Sequence, residues 1–150
     1  MATTFTSGLA SSNQVFKPPG GGVVGIREAT YDFTAAFVVD DIIQMIPVAI
    51  GERVVDLQLI VETDLDSSTG VVIDVGDGDD PDRYIDGATV GQAGGFAALG
   101  SGIVTAAAAA ALNKKYTAAD TIDVKIATAA SGTPAASGTI RMRAFIVAAN

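Results

Sequence analysis

Between Val54 and Gly87, apolar residues recur at every second position and then give way to a dense acidic turn. Val55, Leu57, Leu59 and Val61 fall on one face of an extended chain, and Asp56, Gln58 and Glu62 on the other. A period of two marks a strand with one buried face. After the turn Asp66-Ser67-Ser68-Thr69-Gly70, the residues Val71, Ile73 and Val75 resume the same period. Near the C-terminus, Ile122, Val124 and Ile126 alternate with Asp123 and Lys125, and Ile140, Met142, Ala144 and Ile146 alternate with Arg141 and Arg143.

The pattern predicts strands at about 23–30, 33–39, 42–50, 53–62, 70–76, 82–85, 120–129 and 138–147, separated by polar turns. Short strands at this spacing predict an all-β fold, an antiparallel β-sandwich of jelly-roll-like type. Pro47 cannot donate to a ladder, so its strand is expected at an edge or bulged at that point. The turn-rich link ASGTPAASG between the last two strands allows a hairpin or a crossing between sheets. Residues 103–113 carry six consecutive alanines, which favour a helix, but flanking Gly and β-branched Val104-Thr105 favour a strand or loop. Both readings stand at this level.

Residues 1–22 are rich in Thr, Ser, Gly and Ala, with Phe5, Leu9, Val15 and Phe16 as isolated apolar points, and end in KPPGGG. They predict an extended N-terminal arm ahead of a single domain over 23–150. Such an arm is either a disordered tail or a segment that orders on a neighbouring subunit.

Composition narrows the function. The chain has neither His nor Cys, which removes imidazole bases, thiol nucleophiles, disulfides and the usual zinc ligands together. Ser and Thr are plentiful, but nothing is present to activate them as His does. An enzyme is not expected. With 17 acidic and nine basic residues the net charge is −8, the wrong sign for phosphate contacts, so no nucleic-acid partner is expected. The start MATTFTSGLASS has no basic or long apolar region of a signal peptide, and no apolar run has the length of a membrane span. Synthesis in the cytoplasm without a membrane partner is the corresponding expectation.

Asp74, Asp77, Asp79, Asp80 and Asp82 form the densest polar cluster, interrupted by Gly76 and Gly78. Hard cations take several oxygen ligands, so these five are candidate calcium ligands. The spacing does not match an EF-hand loop, and a solvated acidic turn is the simpler reading; no other cofactor is implied. The pairs Asp40-Asp41 and Asp64/Asp66 suit turns better than a catalytic carboxylate pair. Gly76-Asp77-Gly78 and Gly100-Ser101-Gly102 lack the strand, loop and helix context of a phosphate loop.

The succession DDIIQMIPVAIGERVVDLQLIVETDLD, then VVIDVGDGDDPDRYIDG, then YTAADTIDVKIATAASGTPAASGTIRMRAFIVA resembles small structural proteins of tailed-bacteriophage virions, of the head decoration (cement) type. The resemblance implies a location in the virion and binding between capsomers, with the major capsid protein or other virion proteins as partners. Repeated assembly of a small sandwich with exposed edges calls for point-group symmetry, so a symmetric homo-oligomer is expected, a trimer being favoured. A displayed host-surface or glycan-binding module, or a neck or tail component, are the alternatives; a sugar site would call for exposed aromatic rings, and the chain has no Trp and only Tyr31, Tyr84 and Tyr116.

Overall fold

The computed structural model describes residues 1–11, 23–66, 70–101 and 105–148. The chain opens with β1 (Thr4–Thr6) and one helical turn, α1 (Gly8–Ser11). Then follow β2 (Val24–Phe33), β3 (Ile42–Val48), β4 (Glu52–Val61), β5 (Val72–Gly76) and β6 (Ile85–Ala88). A 3-10 turn at Val90–Gln92 leads to β7 (Gly95–Ala98), helix α2 (Thr105–Asn113), β8 (Asp120–Thr128) and β9 (Gly138–Ala148).

These strands form two sheets packed face to face, in the orders β1-β3-β8-β5-β6 and β2-β9-β4-β7. The chain changes sheet at most connections, including β8 to β9, so the ASGTPAASG link is a crossing and not a hairpin. All pairings are antiparallel except β1 with β3, which run parallel.

The period-two faces meet in the middle. Ile122, Val124 and Ile126 of β8 and Ile73 and Val75 of β5 are fully buried from one sheet; Leu57, Leu59, Ile140, Met142 and Ala144 are fully buried from the other. Each large side chain so buried contributes about 1.5–3 kcal/mol relative to exposure. On β4 the predicted face shifts at one end: Val54 is buried and Val55 is only half-buried. A β-bulge between Val54 and Asp56, opposite Ile146 and Phe145 of β9, inserts one extra residue and moves the inward position back by one. The strand containing Pro47 is bulged between Gln44 and Ile46, which buries both Met45 and Ile46.

Three expectations change. The two strands predicted over 23–30 and 33–39 are one long strand, β2, followed by an irregular loop. β7 is added in a stretch rich in Gly and Ala with Phe96 as its one large side chain, where it pairs with β4. The segment predicted as an extended arm over 1–22 begins with a strand and a helical turn that belong to the sandwich; residues 12–22 lie outside the described residues. The alanine run is helical from Thr105 to Asn113, with residues 103 and 104 outside the described residues.

Candidate functional site

Three carboxylates that looked like turn residues or catalytic pairs act as buried clamps on backbone amides. Asp41 sits at the start of β3, after Asp40 takes a left-handed turn conformation (φ 66°) that Asp tolerates better than most residues. Its two oxygens accept Thr3 N at 2.7 Å and Val38 N at 2.8 Å, tying the chain's first residues to the β2–β3 loop. Asp66 is fully buried and accepts the amides of Gly70, Ser131 and Gly132, which locks the β4–β5 loop onto the β8–β9 crossing. Buried carboxylates persist where several donors satisfy them.

The third clamp, Asp77, organises the acidic loop after β5. Its Oδ1 accepts Asp79 N and Asp80 N at 3.1 and 3.0 Å, and its Oδ2 accepts Arg83 Nε at 2.7 Å and the Tyr116 hydroxyl at 2.9 Å. The loop doubles back so tightly that a Cβ at Gly76 would stand 2.0 Å from the Asp80 carbonyl oxygen. That close approach, and not phosphate binding, accounts for the glycine before Asp77.

Tyr116 joins this loop to its surroundings. Its amide donates to Glu52 O at 2.9 Å and its carbonyl accepts Gly51 N at 2.8 Å, fixing the segment after α2 against the β3–β4 turn. Its hydroxyl lies 2.6 Å from that of Tyr84. Because the single Tyr116 proton goes to the Asp77 carboxylate, Tyr84 is the donor of the shorter bond. Burial raises both phenols above their ordinary range, and the nearby Asp77 charge adds to the effect. The network therefore stays protonated and fixed at any physiological pH.

Of the five candidate calcium ligands, the fold brings Asp77 and Asp79 together and joins them with Asp120 of β8, whose position in sequence gave no hint of it; carboxylate oxygens of the three lie within 4.8 Å of one another. Asp74 turns to the Gly87 amide at 2.8 Å, and Asp80 lies 3.6 Å from Arg83. A hydrogen bond that the protonated Asp80 carboxyl donates to Asp82 raises it above its usual range. Asp79 is paired with Lys114 at 2.9 Å, which lowers its carboxyl. The cations Arg83 and Lys114 thus already stand where an ion would neutralise the cluster.

Beside this loop, Asp40, Asp77, Asp123 and Lys125 line a cavity of about 260 Å³. Lys125 pairs with Asp40 at 3.1 Å. Asp123 Oδ1 is buried without a hydrogen-bond partner. Burial, with smaller contributions from Asp120 and Asp77 and against a hydrogen bond from Thr121, pushes its carboxyl up to about 6. A second charged centre lies between the sheets, where Arg27 of β2 and Glu52 of β4 pair at 2.5 and 2.7 Å, both nearly inaccessible.

None of the three tyrosines forms an exposed platform. Tyr84 and Tyr116 are interior, and Tyr31 packs in a cluster with Phe5 and Phe37.

No protein-family model matches this chain, and no curated protein is similar enough to be a relative. Solved structures are similar. A chain in the capsid of Ralstonia phage GP4 superposes with a TM-score of 0.77 at 25% identity, over 98% of this chain and 99% of that one. This sandwich is a fold found in phage capsids. A chain of the cyanophage Pam1 capsid asymmetric unit gives a TM-score of 0.66 at 23% identity over 92% of this chain and 94% of that one. A chain of the acid-stable capsid of Helicobacter pylori bacteriophage KHP30 gives 0.51 at 13% identity, over 85% of this chain and 89% of that one. The last two share the fold alone.

Proposed function

We infer that this chain is a structural protein of the phage virion, not an enzyme, and we propose that it decorates and stabilises the capsid. The observation that carries this reading is the end-to-end match, over 98% of one chain and 99% of the other, to a chain in a solved phage capsid. The side chains of Asp66, Asp77, Tyr84 and Tyr116 agree with it, being occupied with each other, with Arg83 and with backbone amides.

The decoration role rests on what the surface offers. On the outer face of the β2-β9-β4-β7 sheet, Ile26 of β2 and Phe96 of β7 are 65% and 71% exposed, with Val24 near Ile26, and Ile50 in the β3–β4 turn is 71% exposed. Across the same face runs a charged lattice in which Glu28 pairs with Arg141 and Arg143, and Arg141 also pairs with Glu62 at 2.8 Å. Exposed apolar side chains beside a charged band give the mixed apolar and polar character of a protein interface, and one of standard size buries about 1,200–2,000 Å² in total. Binding between capsomers, as a trimer or another closed oligomer, would add such area at each site and resist separation of the capsid subunits.

Adding the purified protein to particles that lack it, and imaging them, tests the proposal. Ordered density of this chain on the outer capsid surface, with a higher temperature of particle rupture, is the expected result. Density confined to the neck or tail, or no binding, would overturn it.

A further inference from the structure

The N-terminal segment closes the side of the sandwich where β2 and β3 face each other across the two sheets. β1 pairs with β3 at Thr4–Ile42, Phe5–Ile43 and Thr6–Gln44. Thr3 O accepts Ile42 N at 2.9 Å, and Ser7 N donates to Gln44 O at 2.8 Å. The Ser7 hydroxyl, in a residue only 1% exposed, donates to Met45 O at 2.6 Å. Phe5 enters an aromatic nest, with ring centroids 5.8 Å from both Tyr31 and Phe37. Asp41 holds the entry through Thr3 N at 2.7 Å. This is a built dock for one specific strand, reading its backbone, one aromatic ring and one hydroxyl.

We propose that the same dock accepts residues 3–11 of a second copy of this chain, so that neighbouring subunits exchange their N-terminal strands. The occupant follows from complementarity already present: another copy's segment, being identical, makes every contact that the chain's own segment makes. The connection permits it. From Ser11 to Val23 the chain runs about 12 residues, and at ~3.3–3.6 Å per residue that reaches roughly 40 Å. A domain of this length has a radius of gyration of about 15 Å, so the reach is comparable with the width of one subunit. The sequence of that connection includes Pro18-Pro19 and Gly20-Gly21-Gly22. Exchange and self-docking form the same bonds, so the outcome depends on the effective concentration of neighbouring segments, which is high wherever copies are held side by side.

The proposal does not require the capsid role, and its test separates the two. The chain has no cysteine, so Thr6→Cys and Gln44→Cys, at paired positions on the outer side of β1 and β3, give a clean readout. Paired β-strand positions lie within disulfide reach. When the two single variants are co-expressed, concentrated and oxidised, a disulfide-linked heterodimer is expected, absent from either variant alone under the same conditions. A double variant that closes only within its own chain, with no heterodimer from the pair, overturns the exchange. Light scattering provides a second readout with Ser7→Pro, which removes both the amide and hydroxyl donors of the dock. The unsubstituted chain is expected to exceed monomer mass and the variant to fall to it; equal masses overturn the proposal. A chain that is monomeric yet fully incorporated into particles would end the exchange and leave capsid decoration standing.

Discussion

Arg27 and Glu52 face each other across adjoining regions of the core as a two-pronged ion pair, at 2.7 Å between Nη1 and Oε2 and 2.5 Å between Nη2 and Oε1. Each partner also holds backbone: Arg27 donates to Pro47 O at 2.7 Å, and Glu52 accepts Ala49 N at 2.8 Å. The pair thus fixes the β3–β4 turn to β2. Arg27→Met leaves a buried carboxylate without its cation and is expected to lose about 3–5 kcal/mol in urea unfolding. The Arg27→Met/Glu52→Met double variant is expected to lose less than the sum of the single losses. An additive result would show that the two groups do not act as a pair.

Tyr116→Phe deletes the donor to Asp77 and the acceptor of Tyr84 while keeping the ring in place. A loss of about 1–3 kcal/mol is expected, the cost of leaving a buried polar group unpaired. Tyr84→Phe removes only the terminal hydroxyl of that chain and should cost less. Chemical denaturation of the two variants side by side checks the order, and a larger loss for Tyr84→Phe would contradict the direction of the hydrogen bonds.

Asp123 supplies a pH dependence of definite sign. Burial pushes its folded carboxyl up to about 6, above the ordinary carboxylate range, so ionisation disfavours the folded state. The contribution is unfavourable and fully present above pH 6; it is relieved as pH falls from about 6 to 4. Asp123→Asn is therefore expected to raise the melting temperature at pH 7.5 and to have little effect at pH 4. Equal shifts at both pH values would remove Asp123 as the cause.

The acidic corner makes a prediction about metal. Both oxygens of Asp77 already accept protein donors, and Asp79 is paired with Lys114. Treatment with chelator, followed by millimolar calcium, is expected to leave the melting temperature unchanged. A rise that grows with calcium, and disappears in Asp79→Asn and Asp120→Asn, would instead assign the Asp77, Asp79 and Asp120 cluster as a cation site.

The alternation of apolar and polar residues was enough to determine the all-β sandwich and its inner faces at β5, β8 and β9, because a strand's period of two is a local property. Absence of His and Cys removed imidazole and thiol chemistry at the same level, since those groups are not in the chain. Tertiary structure alone decided the rest. The bulge that exchanges Val55 for Val54 on the inner face depends on pairing with β9. The parallel β1 rests on an edge of β3 and a nest formed by Tyr31 and Phe37, residues far away in sequence. The acidic run was legible as a cluster, but the fold turns Asp74 away, brings in Asp120, and assigns Asp77 to Arg83 and Tyr116. A carboxylate in sequence carries only its charge; which donors surround it, and so whether it is a clamp, an ion pair or a ligand, is set by strands that meet only when the sandwich closes.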